Sequence, residues 1–338
     1  MPVSRRFVLG SAMTLAAPAV FAQAPDRLRL VLNFQPDGGT AAFFVAQSRG
    51  WFREAGLEVT IDGSAGSGDA ITRVASGAYQ VGVGDIATLA EFLVRNPGSA
   101  PRVVMPLHDR SPQAVISLAA AGIARPADLV GKTVGNGPAD GASRMFPAFA
   151  RINNLDLAGV GRRQVTPQLR DTMLLTRQVD AVTGFDYTVF FNLKANGTKP
   201  EDIRVMRYGD FGMDFYGNAI LAGQPLIAEK PDVLRRFLAV AARAWRDTLA
   251  DPAMGAAVIK RQVPLLDETI EAERITFLRD NLMVTARTRA LGIGTMDLGR
   301  LREGLAFVQE GFGMPRAPTV EEIYDGNFLP PIELRRVG

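Results

Sequence analysis

Polar and aromatic side chains recur in this chain where strand patterns end and helix patterns begin. Backbone N–H groups at a helix start are unpaired and carry partial positive charge, so each such junction can form a hydrogen-bonding wall for a small molecule. Side chains beside these junctions predict recognition of a ligand rather than its chemical conversion. The candidate ligand-binding residues are Asn33, Phe34, Gln35, Asp37, Thr40, Ser64, Ser67, Asp85, Asn136, Ser143, Asp186, Tyr187, Tyr216 and Asn218.

The aspartates and aromatic residues of this set have two interpretations each. Asp85 directly precedes a helix pattern and Asp186 opens one, and at such a position an aspartate can cap the helix instead of binding a ligand. Asp37 stands three residues before the first helical position, which makes it a weaker candidate for a cap. Four aromatic side chains could sandwich a flat ring or pack in the core, and they are Phe34, Phe185, Tyr187 and Tyr216.

Composition excludes several kinds of chemistry. The 338 residues include no cysteine and a single histidine, His108. Disulfides, thiolate metal sites and a cysteine nucleophile are therefore excluded, and no metal or other cofactor is expected. We expect His108 to have a hinge or surface role. A dinucleotide-binding glycine motif beginning at Gly66 fails, because Ile71 stands where its last glycine is needed.

Charge gives no support for nucleic-acid binding. The formal net charge is +3, and without Arg5 and Arg6 the chain carries 36 basic against 35 acidic residues. No cluster of Lys or Arg appears inside the chain.

The elements that position the candidate residues begin with a βαβ unit. Residues 28–32 alternate as a strand, 33–39 form a turn-rich loop, 40–49 read as a helix and 57–61 alternate again. Strand and helix patterns continue to Ala222, with a strand predicted at residues 164–166. Residues 231–309 are almost all helical, with breaks at Asp251-Pro252, Pro264 and Gly292–Gly294. The pattern predicts an α/β protein with two lobes and a helical C-terminal portion.

The first 24 residues have the features of an export signal. Arg5 and Arg6 precede an apolar stretch, Phe7 to Ala19, that is shorter than the roughly 20 residues a membrane span needs. Small residues at Ala22 and Ala24 suit signal peptidase, and the arginine pair is compatible with twin-arginine export. We expect residues 1–24 to be removed and the mature protein to be periplasmic.

Several stretches together resemble a known family. They are NFQPDGGTAAFFVAQSRGWFREAGLEVTI, SAGSGDAITRVASGAYQVGVGD, RPADLVGKTVG, QVDAVTGFDY and the terminal Asn327–Pro330. In this order they resemble substrate-binding proteins of ABC transporters, in the class for nitrate, sulfonate, taurine and thiamine pyrimidine precursors.

The resemblance implies a type II periplasmic-binding fold, in which a two-strand hinge joins two lobes. Lobe one would hold residues 25–108 and 223–338, and lobe two residues 109–222. A small molecule would bind in the cleft between the lobes of a monomer, which would deliver it to an ABC permease in the membrane.

The ligand class is predicted from the charges beside the loops. A nitrate or sulfonate site needs an Arg, a Lys or convergent N–H donors, and Arg144 is the only strong cation beside a loop. Several aspartates and aromatic residues favour a neutral or weakly basic aromatic heterocycle, such as a thiamine pyrimidine precursor. An alkanesulfonate, taurine or nitrate is the alternative. A pyrimidine-synthesising enzyme of the same fold is disfavoured, because cysteine is absent and one histidine is present.

Overall fold

The computed structural model describes residue 1 and residues 24–337. The predicted signal peptide therefore lies, except for its two end residues, outside the described part of the chain. Among the described residues, no helix combines the length and apolar character that crossing a membrane requires.

The described strands form two separate five-stranded sheets. The first has the order β2-β1-β3-β10-β4 and the second β7-β6-β8-β5-β9. The strands are β1 (Asp26–Val31), β2 (Leu57–Asp62), β3 (Val81–Asp85), β4 (Arg102–Pro106), β5 (Gln113–Leu118), β6 (Thr133–Asn136), β7 (Gly161–Gln164), β8 (Ala181–Phe185), β9 (Ile203–Arg207) and β10 (Asn218–Ala222).

Both sheets combine parallel and antiparallel pairs in the same way. In the first sheet β1 runs parallel to β2 and β3, while β10 runs antiparallel to β3 and β4. In the second, β6 runs parallel to β7 and β8, while β5 runs antiparallel to β8 and β9. The central strands β3, β8 and β10 are buried along their whole length, as expected for sheets with helices on both faces.

Helices follow most strands and then dominate the C-terminal third. The α-helices are α1 (Ala41–Ser48), α2 (Trp51–Glu54), α3 (Ser67–Ala75), α4 (Ile86–Arg95), α5 (Gly141–Ile152), α6 (Pro167–Leu175), α7 (Asp186–Ala195), α8 (Gln224–Glu229), α9 (Pro231–Ala250), α10 (Pro252–Gln262), α11 (Glu268–Phe277), α12 (Ala286–Leu291), α13 (Leu298–Phe312), α14 (Val320–Ile323) and α15 (Ile332–Arg335). A π-helical turn at Leu278–Met283 extends α11. Single 3-10 turns occur at Gly38–Thr40, Ala119–Ala121, Pro126–Leu129, Leu157–Gly159, Pro200–Asp202, Tyr208–Phe211 and Gly326–Phe328.

These elements confirm the predicted α/β class and the opening βαβ unit. The chain passes from the first sheet to the second between β4 and β5, as expected. It returns before Asn218, because β10 is hydrogen-bonded to β3 and β4 of the first sheet. The predicted boundary at residue 222 is therefore wrong for this strand, which belongs to lobe one. Its pattern alone could not distinguish the two sheets, since a fully buried strand suits either.

The strand predicted at residues 164–166 is also displaced. The observed β7 is Gly161–Gln164, and Thr166 is the N-cap of α6. All four residues of β7 are exposed at the edge of the sheet, so no hydrophobic alternation marks them. Arginines at an edge strand are typical, because they discourage pairing with another chain.

Helix α13 lies against both lobes. It packs on α4, which follows β3 of the first sheet, and on α5, which follows β6 of the second. Two glycines on α13 permit close packing, one against Phe215 in the segment before β10 and one against α5. A Cβ at Gly304 would lie 2.0 Å from the Phe215 ring, and one at Gly311 would lie 2.4 Å from the Cβ of Ala148.

We predict that Gly304→Ala destabilises the protein although alanine favours helix. The added methyl overlaps the buried Phe215 ring, and overpacking of this kind costs about 1–3 kcal/mol against a helix gain of up to about 1 kcal/mol. Urea denaturation should therefore give a lower free energy of unfolding. Gly299→Ala, in the first turn of the same helix, meets only the Asp297 carboxylate oxygen at 3.3 Å and is the control. A Gly304 variant as stable as the Gly299 variant would contradict this packing.

Candidate functional site

The carboxyl ends of strands from both sheets face each other across a narrow cleft. This arrangement brings loops of the two lobes together, where open α/β sheets bind ligands. The space left between them is about 10 Å³, roughly what one water molecule needs. Its lining residues are Asn33, Phe34, Gly66, Ser67, Asp140, Gly141, Arg170, Phe185 and Thr188.

The two lobes are in direct contact beside this cavity. The amide of Gly68 donates to the carbonyl of Ala139 at 3.0 Å, and Gly66 has a φ of 145°. A Cβ at Gly66 would lie 2.4 Å from the Ala139 oxygen, so only glycine permits this approach. Nearby, Arg144 Nη2 of α5 and Glu91 Oε2 of α4 form an ion pair at 2.7 Å.

Among the described residues, ten buried side-chain polar atoms lack a hydrogen-bond partner, and six of them belong to loops, strand ends and helix starts of the two lobes that meet at the cleft. Each of these six belongs to a side chain that is more than nine-tenths buried. A buried donor or acceptor without a partner costs about 1–3 kcal/mol, and native proteins contain few of them. Several at one place indicate that a ligand supplies the missing partners. The atoms are Ser67 Oγ, Asp85 Oδ2, His108 Nδ1, Gln113 Nε2, Arg170 Nη2 and Asn218 Oδ1.

Asp85 and Asn218 are opposite one another in the β3–β10 pair. Asp85 caps α4, and its Oδ1 accepts from the amide and the hydroxyl of Thr88 at 2.9 and 3.1 Å. The Gln113 amide also faces this carboxyl. A Cβ at Gly141, which lines the cavity, would lie 3.3 Å from the Cβ of Asp85. Asp85 therefore lies directly behind the cavity wall at Gly141, and Asn218 lies beside Asp85 on the lobe-one side.

Arg170 is the most informative residue that the sequence analysis missed. Its Nε lies 2.9 Å from Asp171 Oδ1 and its Nη1 lies 3.5 Å from Asp140 Oδ2, while its guanidinium carbon is 5.5 Å from the centre of the Phe34 ring. It shares the buried face of α6 with Met173 three residues later. An arginine that shares the helical spacing of apolar residues, and so falls on the buried face of a helix, is the signal that could have identified it.

His108 lies at the hinge, as expected, but it is buried rather than on the surface. Its amide donates to the carbonyl of Asn218, and its carbonyl accepts from the amide of Gly217. The imidazole packs edge-on against the Tyr187 ring, with centroids 5.6 Å apart. Burial lowers the pKa of His108 to about 3, so the ring is neutral near pH 7.

Asp37 is engaged in structure and not directed at the cavity. Its carboxylate accepts from the Gly39 amide at 2.8 Å and lies 3.3 Å from Arg274 Nη1. Thr40 accepts from the Asp37 amide and donates to its carbonyl. Burial raises the pKa of Asp37 to about 6, against the lowering effect of Arg274. Asp37 caps a 3-10 turn that begins at Gly38, ahead of α1. The expectation that Asp37 is a weaker candidate for a cap is therefore wrong.

Asp186 and Tyr216 also have their partners within the chain. Asp186 pairs with Arg207 at 2.6 Å and accepts from the Tyr187 amide. The N-cap of α7 is Phe185, so the cap interpretation of Asp186 is wrong. Burial raises the pKa of Asp186 to about 6, and Arg207 opposes this. The Tyr216 hydroxyl accepts from Arg287 and from the Asp297 amide, away from the cavity.

The remaining predicted residues brace the loops. Gln35 is exposed and donates to the carbonyl of Ser64 at 3.0 Å, and the Ser64 hydroxyl bonds within its own loop. Asn136 donates to Thr183 Oγ1 at 3.2 Å, and Ser143 Oγ lies 2.6 Å from the same oxygen. Asn136 and Ser143 border a neighbouring groove rather than the cavity. Asn33, Phe34, Ser67, Asp85, Tyr187 and Asn218 thus remain at or beside the cleft.

A metal site is not apparent in the described part of the chain. No group of three or more His, Asp or Glu side chains there has the proximity to hold a metal ion.

Comparison with known proteins gives one matching family model, described as NMT1/THI5 like, over residues 38–254. A riboflavin-binding protein, RibY of Chloroflexus aurantiacus, is 24% identical over 334 residues, which cover 95% of this chain and 91% of the relative.

Solved structures of the same architecture include two sulfonate-binding proteins. The alkanesulfonate-binding protein SsuA of Xanthomonas axonopodis pv. citri, bound to MOPS, has a TM-score of 0.67 at 12% identity, covering 90% of this chain and 99% of that one. The aliphatic sulphonate-binding protein SsuA of Escherichia coli has a TM-score of 0.65 at 16% identity, covering 91% and 94%. The predicted periplasmic-binding-protein fold is confirmed.

We predict that Asp85 makes the protein less stable as pH rises. Burial raises the pKa of Asp85 to about 6 from an ordinary value of 3.8. Between these values the folded chain holds a proton that the unfolded chain has lost, so stability falls from pH 4 to pH 7. Asp85→Asn, which keeps the cap, should therefore gain about 2 kcal/mol relative to the parent over this range, measured by urea denaturation.

Asp297→Asn provides a control of opposite sign. Hydrogen bonds from the amides of Arg300 and Gly299 lower the pKa of Asp297, which caps α13. This variant should lose stability relative to the parent as pH rises. The same pH trend in both variants would contradict the burial argument for Asp85.

Proposed function

This chain belongs to the NMT1/THI5-like family, and we propose that it is the solute-binding component of an ABC importer. Its ligand, in this proposal, is a planar nitrogen heterocycle held between the two lobes. The observation that carries the proposal is a pair of buried donors, Ser67 Oγ and Arg170 Nη2, that line the interlobe cavity without a partner among the described residues. The unpartnered Asp85 Oδ2 lies next to the cavity wall at Gly141. A ligand with several hydrogen-bonding atoms would satisfy groups that the chain leaves unsatisfied.

Aromatic side chains from both lobes support a flat ligand. Phe34 of lobe one and Phe185 of lobe two both line the cavity, and rings in this position can stack on a heterocycle. Tyr187, the other stacking candidate, packs against His108 and Gly39 instead.

Polar atoms on both sides of the cavity suit a heterocycle whose edge carries both hydrogen-bond donors and hydrogen-bond acceptors. Asp85 Oδ2 and Asn218 Oδ1 can accept from ring amino or N–H groups. Arg170 Nη2 and Ser67 Oγ, which line the cavity, can donate to carbonyl oxygens or ring nitrogens. A purely apolar ligand would leave all of these groups unpaired.

Two heterocycles fit this description. A thiamine pyrimidine precursor is the ligand predicted from the sequence, and its exocyclic amino group would donate to the Asp85 and Asn218 acceptors. Riboflavin is the second heterocycle, because the Chloroflexus relative is named as a riboflavin-binding protein. Both offer a flat ring with donors and acceptors on its edge.

An alkanesulfonate is the second candidate, and one observation favours it. Arg144, the one strong cation that the sequence places beside a loop, is paired with Glu91. Arg170 instead supplies a guanidinium with a free Nη2 at the cavity. Two of the similar structures are sulfonate-binding proteins.

Export and delivery of the ligand to a permease complete the proposed function. The chain would act as a periplasmic monomer, lose residues 1–24 on export, and present its closed, ligand-bound form to a permease. Closure by a ligand requires that the ligand bind the closed form more tightly than the open one. We propose binding without turnover, so a ligand would leave the protein chemically unchanged.

The ligand class is tested with a panel of compounds on natively purified protein. We expect calorimetry to detect tight binding of riboflavin or of the aminopyrimidine alcohol precursor of thiamine, and no comparable binding of taurine or MOPS. Native mass spectrometry after incubation should recover the bound compound with its mass unchanged. Tight binding of a sulfonate without binding of either heterocycle would contradict the proposed ligand class. A change in the mass of the recovered ligand would instead indicate an enzyme.

We predict that Ser67→Ala weakens ligand binding without weakening the fold. The Ser67 hydroxyl has no partner within the described residues, so its removal costs the folded chain no hydrogen bond. The loss of one hydrogen bond to the ligand should lower affinity roughly three- to tenfold. Calorimetry and urea denaturation of the same preparation measure both quantities.

Ser64→Ala is the matched control in the same loop. Its hydroxyl donates to the Gly66 carbonyl and accepts from the Gly66 amide, both at 3.2 Å. This variant should lose about 1–2 kcal/mol of unfolding free energy. If Ser67→Ala instead destabilises the protein and binds ligand as tightly as the parent, Ser67 is structural.

A further inference from the structure

We infer that the cleft selects the uncharged form of its heterocycle and excludes the phosphate ester of the same ring, with Asp140 as a specificity-determining residue. This inference rests on the proposed function and concerns the same cavity. It follows from the charges around Arg170, which are not those of an anion site.

The guanidinium of Arg170 is already shared between two carboxylates. Asp171 contacts its Nε at 2.9 Å and Asp140 contacts its Nη1 at 3.5 Å. All three side chains are at least 85% buried, where water screens charge poorly. The one guanidinium therefore faces two negative groups, and the remaining Nη2 can act as a hydrogen-bond donor with little net positive charge behind it.

Asp85 adds a third carboxylate at the same place. A Cβ at Gly141, the residue after Asp140, would lie 3.3 Å from the Cβ of Asp85, so the two carboxyls are close. Burial is the main cause that raises the pKa of Asp85, and the negative charge of Asp140 adds to it. A phosphate or sulfonate entering the cavity would meet this negative field and would have to be desolvated in it. A neutral ring that donates to Asp85 and accepts from Arg170 meets no such penalty.

The unpartnered atoms indicate what the site accepts. Arg170 Nη2 and Ser67 Oγ line the cavity without partners, and both can donate to a carbonyl oxygen or a ring nitrogen. A tetrahedral anion would need several more donors to replace its water. The donors present match the edge of an uncharged heterocycle better than a phosphate.

Asp140→Asn tests the inference, because asparagine caps helices as well as aspartate does. Asp140 caps α5 by accepting from the Ser143 amide, and the substitution removes one negative charge while keeping this bond. The probes are two pairs: riboflavin with riboflavin 5′-phosphate, and the aminopyrimidine alcohol with its phosphate ester. Calorimetry gives the affinity ratio of neutral to phosphorylated form within each pair.

We expect the parent to prefer the neutral member of the pair it binds by at least about tenfold, and Asp140→Asn to reduce this preference by about tenfold. Asp251→Asn changes an exposed cap of α10, which accepts from the Met254 amide at 3.0 Å, and should leave the ratio unchanged. Asp171→Asn removes the other partner of Arg170 and should act like Asp140→Asn. It serves as the test if the first variant does not fold.

The outcomes separate this inference from the proposed function. A parent that binds the phosphate ester as tightly as the neutral ring overturns the inference alone. An unchanged ratio in folded Asp140→Asn and Asp171→Asn does the same. Failure of both pairs to bind overturns the proposed ligand class and the inference with it.

Discussion

The position of the first cleft loop depends on one buried arginine of the C-terminal helices. Arg274, on α11, is 1% exposed and lies within ion-pair distance of Asp37 and Glu271. It also donates to the carbonyl of Tyr187 at 2.9 Å, and Glu271 accepts from the amide of Gly38 at 2.6 Å. Because a buried charge is tolerated only when it is paired, these groups hold one another in place and fix the loop of lobe one against α7 of lobe two.

This constraint explains how the polar residues of the cleft divide. Those that build the loops, such as Asp37, Ser64 and Asp186, have their hydrogen-bonding atoms satisfied by the chain. Those that line the cavity, such as Ser67 and Arg170, keep an atom without a partner among the described residues. The first group supplies rigidity, and the second can recognise a ligand because the first does not allow it to relax inward. Pre-organisation of this kind lowers the entropic cost of binding.

Local pattern was sufficient to predict the elements and the loops, but not the partners of individual side chains. The turn-rich segment after β1 and the aspartate before α4 follow from helix and strand chemistry within a few residues. Whether Asp37 faces a ligand depends on Arg274, which is more than 200 positions away in the sequence. Arg170 was missed for the same reason, since helix α6 becomes part of the cleft only when β8 and α7 pack beside it. The assignment of β10 to lobe one likewise depends on long-range strand pairing.

The two lobes contact each other around the small cavity of the cleft. These contacts determine how much binding free energy a ligand must supply in order to replace them. The cavity of about 10 Å³ is far too small for any ring compound, so entry requires that contacts such as Gly68 to Ala139 separate. The Arg144–Glu91 pair spans the same lobes, and with the Arg144 side chain 30% exposed it contributes modestly. A ligand therefore replaces the interlobe contacts beside the cavity, such as Gly68 to Ala139, and forms hydrogen bonds with the unpartnered atoms of both walls. The difference between these two sets of contacts is the free energy that can favour the closed, loaded form. A ligand that reached only one wall would bind the open form equally well and could not close the cleft.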